Sequence, residues 1–316
     1  MIATVVRAED APGPTLVVQR AQLPVGALGL RGELTALRRA LAGTPYARVG
    51  KIALYGPSAR PGRDLDYRFV QAMPDGGFDF RTGCGHSLLA CVVADGPPGP
   101  VTVHAVTTGD AIRCEPEPEP HPGPHPEPEP GVAHTLRFLR APDAPGILPT
   151  GRPVDVIDKI PVSLVRYGNP YVLVDAAHVG LRTADELFRA GDVTLRRLLG
   201  LRAEAARRLG HPPHSALPKI AAFVADPADP ADAAGRTAVR ALTVGGWHPR
   251  LALTGAAALA AAAHLEGTVV PPLDGPLRTP GGPVTVSADR LGVAVHHKRA
   301  TVLDRLELPW RIHATA

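Results

Sequence analysis

Apolar residues recur in a fixed order along the chain. KIALY, from Lys51, and KIAAF, from Lys219, are short apolar runs with the pattern of buried strands. GPVTVHAV, from Gly99, and GPVTVSAD, from Gly282, read the same way. Between the members of each pair lies a segment with no polar face, LLACVVA in one half and AAALAAAAHL in the other. A helix that is apolar all round must be enclosed on every side. Residues 202–211 differ: Ala, Leu and Arg at helical spacing predict an ordinary amphipathic helix there.

The order strand, apolar helix, strand therefore occurs twice. Lys51 and the helix start at Cys84 are separated by 33 residues, Lys219 and the helix start at Thr254 by 35. Two homologous domains, expected at 1–158 and 159–316, account for the repeat. The expected fold class is α/β (α+β), with each domain a curled, barrel-like mixed β-sheet around a central helix. His264, inside the second apolar segment, reads as a satisfied core histidine, and Cys91, seven residues after Cys84, as packing.

Composition narrows the picture. The chain has 316 residues and a net charge of +4, with scattered arginines and few aromatics, which disfavours nucleic acid as a partner. No apolar run is long enough to span a membrane, and the first residues lack a secretory pattern, so a cytoplasmic protein is expected. Three cysteines with no C-x-x-C pair and no zinc-type spacing argue for neither a disulfide framework nor a metal site. Residues 115–131 read EPEPEPHPGPHPEPEPG, a Pro-rich acidic run that cannot pack a core and is expected to form a solvated loop.

Lysine usage is more informative. Of 34 basic residues four are lysines: Lys51, Lys159, Lys219 and Lys298. Arginine keeps its proton in a protein, whereas a buried lysine can give it up. A chain that otherwise uses arginine marks its lysines as candidates for proton chemistry.

The helix starts supply the rest of the candidate site. Each begins with a small-residue turn, Gly83-Cys84-Gly85 or Leu253-Thr254-Gly255. Amides of a first helical turn lack intrahelical acceptors and favour an anion. Two such ends, one per domain, are expected to face each other across an interdomain cleft and to hold a dicarboxylate through the amides at Gly85 and His86 and at Gly255 and Ala256. Cys84 at the positive end of a helix is suited to proton transfer; the competing reading is a small inert packing residue.

Seven stretches in order carry a resemblance: KIALYG, DLDYRFVQAMPDGGFDFRTGCGHS, VHAVTTGDAIRCE, LRFLRAPDAPGILPTGRPVDVID, YGNPYVLVDAAHVGL, LPKIAAFV and HPRLALTGAAALAAAAHLEGTVV. Together they resemble the PrpF family of the diaminopimelate epimerase-like superfamily. The resemblance implies a cofactor-free isomerisation in which an allylic C–H loses its proton and a proton returns two carbons away. It implies Lys51 and Cys84 as the proton-handling pair and extends substrate contacts to Ser87, Asn169 and His248, beside Gly85, His86, Thr254, Gly255 and Ala256. The partner implied is a small unsaturated carboxylic acid, without metal, nucleic acid or membrane; a homodimer is an allowed assembly. Departures fall on the rim. The family's R-G-G-T-S-K-G appears as RAEDAPG at residues 7–13, which loses the serine and leaves Thr15 as the nearby hydroxyl. The family's N-C-G-N appears here as Gly83-Cys84-Gly85-His86. Alternatives to isomerisation are an epimerase or racemase, for which a second helix-start thiol is missing, and a carboxylate-binding protein that has lost turnover.

Overall fold

The computed structural model describes residues 1–24, 26–118, 131–212, 215–225, 237–273 and 275–308. The chain divides into two compact units, Met1–Thr135 with Lys298–Ala316, and Leu136–His297.

The first unit opens with β1 (Ile2–Ala8), β2 (Thr15–Gln19), α1 (Ala27–Leu41), β3 (Lys51–Pro57) and β4 (Leu65–Ala72). It continues through β5 (Phe78–Asp79), α2 (Gly85–Asp95), β6 (Val101–Ala105) and β7 (Ala111–Pro116). Strand β8 (His134–Phe138) carries the chain into the second unit. That unit holds β9 (Asp155–Ile157), β10 (Ile160–Tyr167), β11 (Asn169–Asp175), α3 (Ala184–Arg189), α4 (Asp192–Arg208), β12 (Lys219–Ala225), β13 (Thr237–Thr243) and β14 (Gly246–Trp247). It ends with α5 (Leu253–His264), β15 (Val286–Asp289) and β16 (Gly292–Lys298); β17 (Ala300–Glu307) returns to the first unit.

Pairing repeats between the units. In the first, β1 and β2 are antiparallel, β2 and β3 parallel, β3 and β4 antiparallel. In the second, β10 and β11 are antiparallel, β11 and β12 parallel, β12 and β13 antiparallel. Each parallel step needs a crossover, and helices supply it: α1 between β2 and β3, α3 and α4 between β11 and β12.

Period-2 alternation then sorts the two faces of each sheet. Leu16 and Val18 of β2, Ile52 and Leu54 of β3 and Val70 of β4 join one core with Leu30, Leu34, Leu37 and Leu41 of α1. The residues between them face the other way, onto α2, which touches β1, β2, β3, β4, β6 and β17. Strands around one helix explain why residues 85–92 are all buried. The second unit follows the same rule, with Val172, Val174, Ile220 and Ala222 packed with Leu187, Leu198 and Leu201 of α3 and α4. There the opposite side is taken by α5, against β10, β11 and β15.

The boundary expected at 158/159 differs from the limits of the compact units. Antiparallel pairing of β17 with β1, from Ile2↔Glu307 to Ala8↔Ala300, brings the end of the described chain into the first unit. A local apolar pattern carries no signal for such a long-range pairing. Of the acidic proline run, Glu115 and Pro116 close β7, and residues 119–130 lie outside the described residues. His264 is exposed at the last position of α5 and is not a core histidine, because the helix ends there. No helix among the described residues is long and apolar enough to cross a membrane.

Candidate active site

In the first unit, Lys51 is the first residue of β3 and lies opposite Thr15 in the parallel register with β2. Ile52 faces α1, so its neighbour Lys51 faces the α2 side. Burial lowers the Lys51 ammonium below the ordinary lysine value; Cys84, within electrostatic reach, raises it, and Arg7 lowers it further. The net direction is down. The Lys51 ammonium also meets the carbonyl of Gly13 at 3.5 Å.

Cys84 is the N-cap of α2, with extended backbone and no side-chain capping bond, and it is partly exposed. The approach to it is pinned. The Arg81 guanidinium donates to both oxygens of the buried Asp79 at 3.1 and 3.3 Å, and the Arg81 amide donates to the same carboxylate at 2.9 Å. The Cys84 carbonyl accepts from the Leu88 amide and from the Tyr67 hydroxyl, both at 2.9 Å. The Ser87 and Thr15 hydroxyls share a buried bond of 2.9 Å. Thr15, opposite Lys51 in the strand register, is thereby tied to the first turn of α2. Burial, reinforced by Cys84 and Cys91, pushes the Tyr67 phenol well above its ordinary value, so it stays protonated as a donor.

Gly85, His86 and Ser87 form the buried first turn of α2, where amides lie ahead of the i−4 ladder. Cys91 is fully buried, and burial pushes its thiol well up; Cys114 behaves likewise on β7. The packing reading of Cys91 fits this environment.

In the second unit, Asn169 and Thr254 come together. The Asn169 amide donates to the Thr254 hydroxyl at 3.3 Å, and the Tyr171 hydroxyl is 3.4 Å from the same oxygen. Gly168, between β10 and β11, has φ of +75°, and a Cβ there would meet the Thr254 methyl at 3.2 Å. Only glycine suits that position. His248 is buried after β14, and its Nδ1 accepts from the Arg250 amide at 3.2 Å.

The start of α5 differs from the expectation by two residues. Its N-cap is Ala252, and both the Gly255 and Ala256 amides donate to the Ala252 carbonyl, at 2.7 and 3.0 Å. The amides expected at Gly255 and Ala256 as anion donors are therefore spent inside the helix. Those of Leu253 and Thr254 come earlier in the turn and lack a helical acceptor. With the N-cap at Ala252, the spacing from the strand lysine is 33 residues in both units. Ala252 is thus the counterpart of Cys84, and Gly255 that of Ser87.

Tyr67 and Thr82 carry site features that the sequence reading passes over. Thr82, two residues before Cys84, is 1% exposed, and its hydroxyl has no hydrogen-bond partner among the described residues. A hydroxyl two residues ahead of a helix N-cap was a readable signal; the reach of Tyr67 from a neighbouring strand was not. Among the described residues, no group of three or more His, Cys, Asp and Glu is placed to hold a metal ion.

The chain is similar to several known proteins. Residues 128–280 match the family model described as PrpF protein. The Escherichia coli (strain K12) protein named "Putative isomerase YbhH" is 27% identical over 245 residues, covering 70% of this chain and 68% of the relative. The 3-methylitaconate isomerase of Eubacterium barkeri is 29% identical over 188 residues, covering 51% and 49%. Among solved structures, methylitaconate-delta-isomerase superposes with a TM-score of 0.64 at 22% identity, covering 98% of both chains. The fold is the diaminopimelate epimerase-like one.

Proposed function

We infer the chemistry from one premise: residues 128–280 match the PrpF family model, and the curated relatives are named isomerases. The reaction we propose is a 1,3-allylic proton shift in a small unsaturated carboxylic acid. Lys51, neutral, takes the proton from the allylic carbon. The C–H electron pair moves into the adjacent double bond and spreads onto the carboxylate as a dienolate. The Cys84 thiol then protonates the distal carbon, which completes the shift of the double bond. The lysine ends protonated and the cysteine ionised, and one proton exchanged with solvent resets the pair.

The observation that carries this reading is the placement of half-buried Lys51 at the start of β3 on the α2 side, its amine lowered by burial and within electrostatic reach of the partly exposed N-cap thiol Cys84. A base must be near its operating pH to be useful, and burial moves a lysine in that direction. First-turn amides of α2 favour the developing negative charge without reorganising. An epimerase acting with two thiols is disfavoured by the counterpart of Cys84, which is Ala252.

The test is solvent exchange. The protein is incubated in deuterated water with 3-methylitaconate and with smaller unsaturated acids, and the allylic carbons are followed by NMR. Deuterium at an allylic carbon is the expected result. Binding of an acid without any exchange would remove the isomerase assignment in favour of a carboxylate-binding protein.

A further inference from the structure

The N-terminal loop at residues 9–13 differs from the family's Ser-containing stretch, and it holds a buried ion pair. Lys298 Nζ lies 2.5 Å from Asp10 Oδ2, with the two side chains 6% and 3% exposed. Lys298 is one of the chain's four lysines, and the proton-transfer chemistry proposed above does not use it. The loop is tied at its start as well: the Glu9 amide donates to the Arg299 carbonyl at 3.1 Å, and the Ala11 amide to Ala8 at 3.1 Å. Its far end places the Gly13 carbonyl 3.5 Å from Lys51 Nζ.

We propose that Lys298 and Asp10 form a latch that holds the 9–13 loop over Lys51, which makes Lys298 a positioning residue for that amine. The latch takes over the place of the missing serine segment. A buried charge with its partner removed is strongly unfavourable, so the pair commits the loop to one position. The loop in turn keeps water from Lys51. The charged or titratable groups facing Lys51 are Cys84 at the N-cap of α2 and Arg7 of β1; β2 and β4 present the neutral Thr15 and Gln71. Loosening the loop hydrates the amine and moves its titration upward, toward an ordinary lysine.

The proposal rests on Lys51 as the base only where turnover is concerned, so the test reads the amine and the turnover separately. Acetylation of the full chain by acetic anhydride across a pH series, resolved by peptide mass spectrometry, gives the half-labelling pH of Lys51, with exposed Lys159 as internal reference. The double variant Asp10→Asn with Lys298→Met removes both charges together. Pro12→Gly, at an exposed loop position, relaxes the loop without touching the pair and guards against a double variant that fails to fold. The double variant is expected to raise the Lys51 half-labelling pH toward that of Lys159, with Pro12→Gly moving it the same way by less. Lys298→Arg, which keeps the charge, is expected to leave it near wild type. Turnover at neutral pH should fall about tenfold for each pH unit of rise. A raised half-labelling pH with unchanged turnover keeps the latch and removes Lys51 as the base. An unchanged half-labelling pH in both the double variant and Pro12→Gly overturns the latch.

Discussion

At the start of α2 a serine meets a threonine; at the start of α5 a glycine meets a tyrosine. Thr15 and Tyr171 hold equivalent places, each opposite the strand lysine in a parallel register. Ser87 and Gly255 hold the same place three residues past their N-caps. In the first unit two small hydroxyls share a bond, and the N-cap carries a thiol. In the second, the tyrosine ring comes so close that a Cβ on residue 255 would sit 2.9 Å from its hydroxyl, and the N-cap is alanine. The pairs exchange volume between strand and helix, so the repeated scaffold survives while the proposed proton-transfer pair lies in one unit. Duplication fixes the backbone and leaves the chemistry free to become one-sided.

The comparison breaks most directly at the lysines. Lys51→Arg keeps the charge and removes the proposed base, and turnover is expected to fall at least ~10²-fold. Because burial lowers the Lys51 amine, the ascending limb of kcat/KM in the wild type should lie below the ordinary lysine value, the neutral amine being the active form. Wild-type turnover in Lys51→Arg would remove Lys51 as the base.

A second contrast separates Cys84 from the other thiols. Iodoacetamide on the native protein should label partly exposed Cys84 and leave the buried Cys91 and Cys114 unmodified. Cys84→Ser should fold and lose about tenfold or more in turnover. Labelling of Cys91 at a rate similar to Cys84 would show that the α2 environment opens in solution.

The complementarity at α5 is a packing claim. Gly255→Ala forces a methyl against Tyr171 and Leu251 and should destabilise by about 1–3 kcal/mol, as overpacking does. Combining it with Tyr171→Leu in a double-mutant cycle should recover part of that loss. Purely additive effects in denaturant titrations would mean that the two residues are not coupled.

The smallest effect is expected at the equivalent lysine. Lys219→Arg should change turnover by less than about twofold, because its helix start has no thiol and no open counterpart of Ser87. A loss comparable to Lys51→Arg would show that both units take part in proton transfer.

Much of this was legible in the sequence. KIALY and KIAAF are apolar on both faces of their strands, and such runs announce burial wherever they occur. The all-apolar helices announced enclosure for the same reason, and Cys84 was located at its helix start because glycines flank it. The start of α5 was misplaced because LALTG has no glycine-bounded turn before Thr254, and Ala252 as an N-cap gives no side-chain signal. Tyr67 and the Lys298–Asp10 pair escaped because they join residues 17 and 288 positions apart. Periodicity reports which face is buried. It does not report which polar groups meet there.

The return of β17 to β1 has a consequence for the order of events on the ribosome. Leu136–His297 is contiguous and can close its contacts as soon as its own residues have emerged. The other unit must wait for residues 300–307 before β1 acquires its outer neighbour. Synthesis proceeds at about 5–20 residues per second, so an exposed β1 edge persists on the order of ten to sixty seconds. Unpaired edges invite association with other chains. Stalling synthesis just before β17 should therefore yield nascent chains whose early-made half is more protease-sensitive than its later-made half.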